Sequence, residues 1–201
     1  MLVLGITGGI ATGKSTVTRM LSELGAPTVS ADVLAHDLLA PGTAATQSVL
    51  AAFPSCADPA DPQGRTIDRS ALGRLVFADA AARAHLEALT HPAIIAALWE
   101  QIALWRALDE APAAAAEIPL LFEAKLEWLV DSIVVVTCLP SDQVSRMLVR
   151  GDVSEAEVHR RIAAQWPLSK KEARADYLIT ANDWGLEDTR HQVEALWEGL
   201  I

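Results

Sequence analysis

Gly8-Gly9-Ile10-Ala11-Thr12-Gly13-Lys14-Ser15 sets the architecture expected of this chain. Its spacing satisfies G-x-x-x-x-G-K-[ST] without a departure. Each fixed position has a physical reason. Glycines let backbone amides turn inward around phosphate oxygens, where a side chain would collide. A helix that begins at the loop points its free N–H groups and positive dipole end at the same anion. Lys14 supplies a mobile cation to the β- and γ-phosphates, and the Ser15 hydroxyl can ligate Mg²⁺. Gly8, Gly9, Ala11, Thr12, Gly13, Lys14, Ser15 and Thr16 are therefore candidate nucleotide-binding residues, and Ser15 is the candidate metal ligand. ATP and Mg²⁺ are the implied cofactors. A bare match of this kind can be a chance glycine turn. Here the required context is present, with a strand pattern before the loop and a helix pattern after it.

The strand before the loop is residues 2–7 (LVLGIT), apolar and rich in β-branched side chains. After it, Lys14 to Leu24 shows helical periodicity through Val17, Met20, Leu21 and Leu24, and Gly25 and Pro27 end that helix. The β–α order then predicts a short strand over Thr28–Ser30. Helices are predicted from Ala31 to about Ala40, and to Phe53 after the break at Pro41-Gly42. Residues 54–67 (PSCADPADPQGRTI) are the clearest loop. Asp68 can cap a helix carrying Leu72, Leu75 and Val76. Further helical stretches run to about Thr90 and from Pro92 to Leu108. Ala113–Ile118 favours helix by its alanines, yet the alternation requires a strand there. Asp131–Cys138, containing SIVVVTC, is the strongest strand signal. Ser141 opens a helix to Arg150, and Ser154 with Glu157 and Ser169 with Glu172 form capping-box patterns. Tyr177–Thr180 is the last strand and Leu186–Leu200 the last helix. The result is an α/β fold with a mostly parallel five-stranded sheet covered on both faces.

Composition narrows the function. A length of 201 residues fits one domain, and 51% apolar residues permit a substantial core. No apolar run approaches the roughly 18 residues of a membrane span. The N-terminal apolar run leads straight into the phosphate loop, so it is read as a strand and not a signal peptide. Cys56 and Cys138 fit no metal spacing, and a reducing, cytoplasmic setting follows. The formal charge of −10 argues against a nucleic-acid partner, though not against an anionic small molecule. The loop alone serves kinases, GTPases and motor ATPases. No guanine-reading N-K-x-D is present, and motor ATPases need longer chains, so a small-molecule kinase fits best. A nucleotide-dependent regulator that transfers no phosphate is the rival from another class.

Several segments in order extend the reading. GITGGIATGKST, SADVLAHDLLAPG, RSALGRLVF, LTHPAI, EIPLLFE, the Gln143-x-x-Arg146-x-x-x-Arg150 helix and ADYLITAND span nearly the whole chain. Together they resemble the dephospho-coenzyme A kinase family. Ala31-Asp32, His91-Pro92 and Pro119-Leu120-Leu121-Phe122-Glu123 are the specific part. The resemblance implies ATP-dependent phosphorylation of the ribose 3′-hydroxyl of dephospho-CoA. It also implies a single kinase domain over residues 1–201: a core of 1–31, 110–140 and 176–201, a helical acceptor region at 32–109, and a helical lid at 141–175. The chain departs from the family in having Ala11 and Thr12 where Gly and Ser are frequent. It has His36 where an Arg commonly follows the aspartate, and Gly151-Asp152 after Arg150 where Asp or Asn is usual.

Individual candidates follow. Asp32, at the carboxyl end of the second strand, can orient or deprotonate an acceptor hydroxyl; its position alone equally suits a helix cap. Arg146 and Arg150 share a helix face and could grip the polyphosphate, whereas Arg160 and Arg161 read as an exposed basic face. With Lys14 and Asp32 they make up the candidate catalytic set. Glu117 is a candidate metal-directed acid or a solvated strand end. Glu123 is a helix-start acid or lines the site. His91 is a turn residue or lines the acceptor cleft, and most of the six tryptophans read as core or amphipathic-face residues. The resemblance sets Asn182 near the adenine end and leaves the role of Asp152 open.

Overall fold

The computed structural model describes residues 1–151, 154–182 and 185–200. Five strands, β1 (Leu2–Gly8), β2 (Thr28–Ser30), β3 (Ala113–Glu117), β4 (Ser132–Thr137) and β5 (Tyr177–Thr180), form one sheet in the order β2-β3-β1-β4-β5. Every pairing is parallel. β1 is central, between β3 and β4. Its carboxyl end therefore opens where successive connections leave to opposite sides, the place at which open α/β sheets bind ligands.

Nine helices are described: α1 (Lys14–Glu23), α2 (Ala31–Leu38), α3 (Ala44–Ala52), α4 (Arg69–Ala78), α5 (Ala80–Leu108), α6 (Pro140–Arg150), α7 (Glu155–Ala163), α8 (Leu168–Glu172) and α9 (Leu186–Glu198). The chain divides into two compact units. One holds residues 1–30 and the described residues from 101 onward, with the whole sheet. Leu4 and Ile6 of β1, Val17, Met20 and Leu21 of α1, Val134 and Val136 of β4, and Val193 of α9 form its core. Each such side chain contributes about 1.5–3 kcal/mol on full burial. The other unit is Ala31–Glu100. Its core joins Val49, Phe53, Cys56, Ile67 and Leu72.

The alanine segment is strand β3, with Ala113 to Ala116 entirely buried. Helix propensity is a weak preference, and the strand gains hydrogen bonds to β1 on one side and β2 on the other. Three local expectations need correction. Pro92 does not divide two helices but lies inside the continuous α5. It forfeits one backbone hydrogen bond. Both flanks are nonetheless held, through partly buried Leu86 and Leu89 before it and buried Leu98, Ile102 and Trp105 after it. Helix α6 starts at Pro140 and not Ser141, because a fixed φ and a missing N–H suit the first helical position. Ser169 does not cap α8; Pro167 precedes that helix and Glu172 instead accepts from the Thr137 hydroxyl. Of the described tryptophans, Trp105 is buried and Trp166 and Trp197 half-buried, in keeping with the expectation for most of them, and Trp99 and Trp128 are exposed. Two caps are as expected: Asp68 accepts from Ala71 N at 2.9 Å and Ser154 from Glu157 N at 3.3 Å. The loop at 54–67 carries one short 3-10 turn (Pro54–Cys56) and is closed by an Ala57–Ile67 bridge. No helix among the described residues is long and apolar enough to cross a membrane.

Candidate functional site

Every carbonyl from Gly8 to Ala11 is taken by a side chain. Gly8 O accepts from Lys171 Nζ at 3.2 Å. Gly9 O accepts from Lys14 Nζ at 2.8 Å and Thr12 Oγ1 at 3.0 Å. Ile10 O accepts from Gln143 Nε2 at 2.7 Å, and Ala11 O from Arg146 Nη1 at 3.2 Å. In a trans peptide the carbonyl and the next N–H point in opposite directions. Pinning these carbonyls to the protein therefore turns the following amides the other way, which is what an anion-binding nest needs. Two of these amides are engaged within the protein: Ile10 N donates to Gln165 Oε1 at 2.9 Å and Thr12 N to Gly9 O at 3.4 Å. Helix α1 begins at Lys14 behind Gly13, which sits at φ 101 and offers no side-chain cap. Thr16 N turns back to Gly13 O at 3.0 Å, and no side chain caps the start of α1, an arrangement suited to an anion.

The glycines have a second reason besides clearance for phosphate. Gly8 is at φ 150, and a Cβ there would collide with the Val136 carbonyl of β4. A Cβ on Gly9 would lie 2.5 Å from Gln143 Nε2. Ala11, at φ 58, occupies the left-handed region at a cost of about 1–2 kcal/mol. Its methyl packs with Met147 of α6 and Val158 of α7, so helices of the 141–175 region rest on the loop.

Ser15 Oγ donates to Glu117 Oε1 at 2.8 Å. Glu117 ends β3, in register with Ile6 of β1 and Ser30 of β2, and is 5% exposed. It is therefore not a solvated strand end but a buried carboxylate beside the loop hydroxyl. On the other side, Gly13, Thr16, Arg146, Arg150, Asn182 and Leu186 line a cavity of about 280 Å³. That is near the lower limit for small-molecule pockets, roughly 300–1,000 Å³. Arg146 also donates to Ala181 O at 2.5 Å, so its fork bridges the loop and the end of β5. Asn182 Oδ1 accepts from Leu139 N at 3.1 Å and ties the segment after β5 to the one after β4. Arg150 is exposed. Arg160 and Arg161 pair with Glu157 on an exposed face, as expected.

In the helical unit, Asp32 is the second residue of α2 and is exposed. Its carboxylate makes no hydrogen bond to the described residues, so it does not act as a helix cap. Arg69 donates to the carbonyls of His36 (3.1 Å) and Leu39 (3.3 Å), fixing the end of α2. His91 lies inside α5, not at a helix boundary. Asp152 lies outside the described residues.

Three residues near the loop carried no role in the sequence reading. Gln143 stood in a quoted motif. Gln165 stands between Ala164 and Trp166, and Lys171 follows Lys170 in a polar segment, yet Lys171 is wholly buried. Its Nζ pairs with Glu123 Oε1 at 2.9 Å, which also accepts from Trp166 N at 2.9 Å. Glu123 is thus an internal anchor and not a helix-start acid. Away from the loop, Glu23 is held below the usual glutamate range by its hydrogen bond from Arg190, which joins α1 to α9, and by the nearby Arg19.

The family model of dephospho-CoA kinase matches residues 2–188. A dephospho-CoA kinase of Symbiobacterium thermophilum is 42% identical over 198 residues, covering 98% of this chain and 80% of that protein. One from Geobacter metallireducens is 44% identical over 201 residues, covering 100% and 98%. Among solved structures, the dephospho-CoA kinase of Campylobacter jejuni superposes with a TM-score of 0.68 at 26% identity, covering 98% of this chain and 96% of that one.

Proposed function

The chain belongs to the dephospho-CoA kinase family, and we propose how its residues divide the work of that reaction. The enzyme transfers the γ-phosphoryl group of ATP to the ribose 3′-hydroxyl of dephospho-CoA, giving coenzyme A and ADP. The family match over residues 2–188 carries the assignment. Its first loop, with carbonyls pinned and amides turned away from them, supports a phosphate cradle.

Phosphoryl transfer asks a protein for positioning and for compensation of charge on the transferring group. In this proposal the loop amides and Lys14 hold the β- and γ-phosphates. Arg150, exposed at the cavity rim, supplies a second cation, and Arg146, whose fork holds the Ala11 and Ala181 carbonyls, lines the same cavity. Thr16 and Asn182 contact the nucleoside end. Mg²⁺ fits the donor set here. The Ser15 hydroxyl and the Glu117 carboxylate are hard oxygen donors 2.8 Å apart, and this ion is usually bound by few protein oxygens, keeping water and substrate phosphate as its other ligands. Ser15 would hold it, with Glu117 orienting its water, and the bound ion would neutralise charge on the phosphates. Asp32, unencumbered by a cap bond, accepts or orients the proton of the ribose hydroxyl. The setting proposed is the cytoplasm.

Asp32→Asn tests this division. It keeps a hydrogen-bonding oxygen and removes the charge. Single-turnover transfer should fall about two to four orders of magnitude, the range for general-base groups, while ATP affinity without acceptor is unchanged. Wild-type turnover in Asp32→Asn would remove Asp32 from the mechanism. An acceptor panel with product identification, run on the wild type, checks the substrate independently.

A further inference from the structure

We propose that Lys171 is a positioning residue of the phosphate loop, acting through the Gly8 carbonyl; the inference rests on the nucleotide-loop reading above. Lys171 lies on the five-residue α8 and is 0% exposed. An ammonium has three donors, and three acceptors surround this one: Gly8 O at 3.2 Å, Pro119 O at 3.2 Å and Glu123 Oε1 at 2.9 Å. They come from the end of β1 and from the turn that follows β3.

Burying a charge is unfavourable unless it is paired and hydrogen-bonded. An apolar side chain of similar length would fill the same space without that cost. What the lysine adds is a donor for Gly8 O, at the residue whose φ of 150 turns the chain out of β1. Thr7 Oγ1 donates to the same Pro119 carbonyl at 3.2 Å, so two successive loop-side residues are fixed on one turn. Glu123 extends the arrangement. Its Oε1 also accepts from Trp166 N, and the adjacent Gln165 takes the Ile10 amide. Gly8 is thereby tied to α8 through Lys171, and Ile10 to the α7–α8 connection through Gln165. The neighbouring Lys170 is different in kind: it is exposed, with its ammonium 3.5 Å from the centre of the Trp166 ring.

The role predicts a loss of nucleotide affinity that a purely structural lysine would not show. ATP binding to the full chain is measured by titration calorimetry well below the melting temperature, for wild type and Lys171→Met, with thermal unfolding alongside. Lys171→Met should bind ATP about ten- to a hundredfold more weakly, the range seen when a residue that orients a ligating group is lost. A folded Lys171→Met that binds ATP within twofold of wild type, whatever its melting temperature, overturns the proposal. Should this variant fail to fold because Glu123 is left without its partner, Lys171→Met/Glu123→Gln removes both charges and is titrated in the same way. ATP affinity within twofold of wild type in the double variant, or its failure to fold, also overturns it. Absence of ATP binding by the wild type would instead remove the nucleotide-loop reading.

Discussion

Replacing Gly9 by Ala tests how the phosphate loop is held. The new Cβ would sit 2.5 Å from Gln143 Nε2 and 3.2 Å from Thr12 Cγ2. Gly9 is not in the left-handed region, so the backbone itself accepts alanine. The conflict is therefore with the Gln143 amide, the movable end of a side chain that is 5% exposed. Moving it breaks the 2.7 Å bond to Ile10 O and leaves a buried donor and acceptor unpaired. Such a pair costs about 2–3 kcal/mol when unmade. For a chain of this size that is a fall in melting temperature of roughly 4–12 °C. Gln143→Ala alone loses the same bond and costs a similar amount. In the double variant the Gly9→Ala methyl enters the space left by the amide. Its cost should match Gln143→Ala alone, giving a coupling of about 2–3 kcal/mol. Thermal unfolding of the four proteins measures this, and ATP titration of the same samples should follow the same order. Effects that add to within about 0.5 kcal/mol would show that Gln143 is not what forbids a side chain at Gly9.

Three other outcomes follow from the same geometry. Lys14→Ala should lower turnover at least about a hundredfold, since charge developing on the transferring group goes uncompensated; near-wild-type rates in a folded variant would contradict the loop assignment. Glu117→Gln should raise the Mg²⁺ concentration for half-maximal rate about ten- to a hundredfold, as for other groups that orient a metal's ligands, and an unchanged Mg²⁺ dependence would exclude that role. Asp61 is held below the usual aspartate value by the Thr66 hydroxyl first, then by the Arg65 and Gln63 amides. Its folded pKa is depressed, so its contribution to loop order is complete above the unfolded value and is lost as pH falls through the folded one. An NMR titration of its carboxyl carbon should give a midpoint below the ordinary 3.8, and a midpoint at or above that value would refute the reading.

The chemistry of the loop was legible from residues 8–15 because its parts are adjacent in sequence. Glycines, lysine and hydroxyl need only the strand before them and the helix after them to converge on one anion. Strand and helix order was legible for the same local reason, and ordered short motifs gave the family. Partners distant in sequence were not legible. Ser15 meets Glu117 across 102 positions, and nothing around Glu117 distinguishes a buried acid from a solvated strand end until β3 is known to lie beside β1. Lys171 follows another lysine in a polar helix, and only the packing of α8 against the ends of β1 and β4 makes it internal. The two neighbours of β3 override the helix preference of its alanines, and anchored flanks carry α5 through Pro92. Local propensity and motif spacing are properties of a few consecutive residues. Burial, and the hydrogen-bond partner a side chain takes, depend on which other elements the fold brings over it.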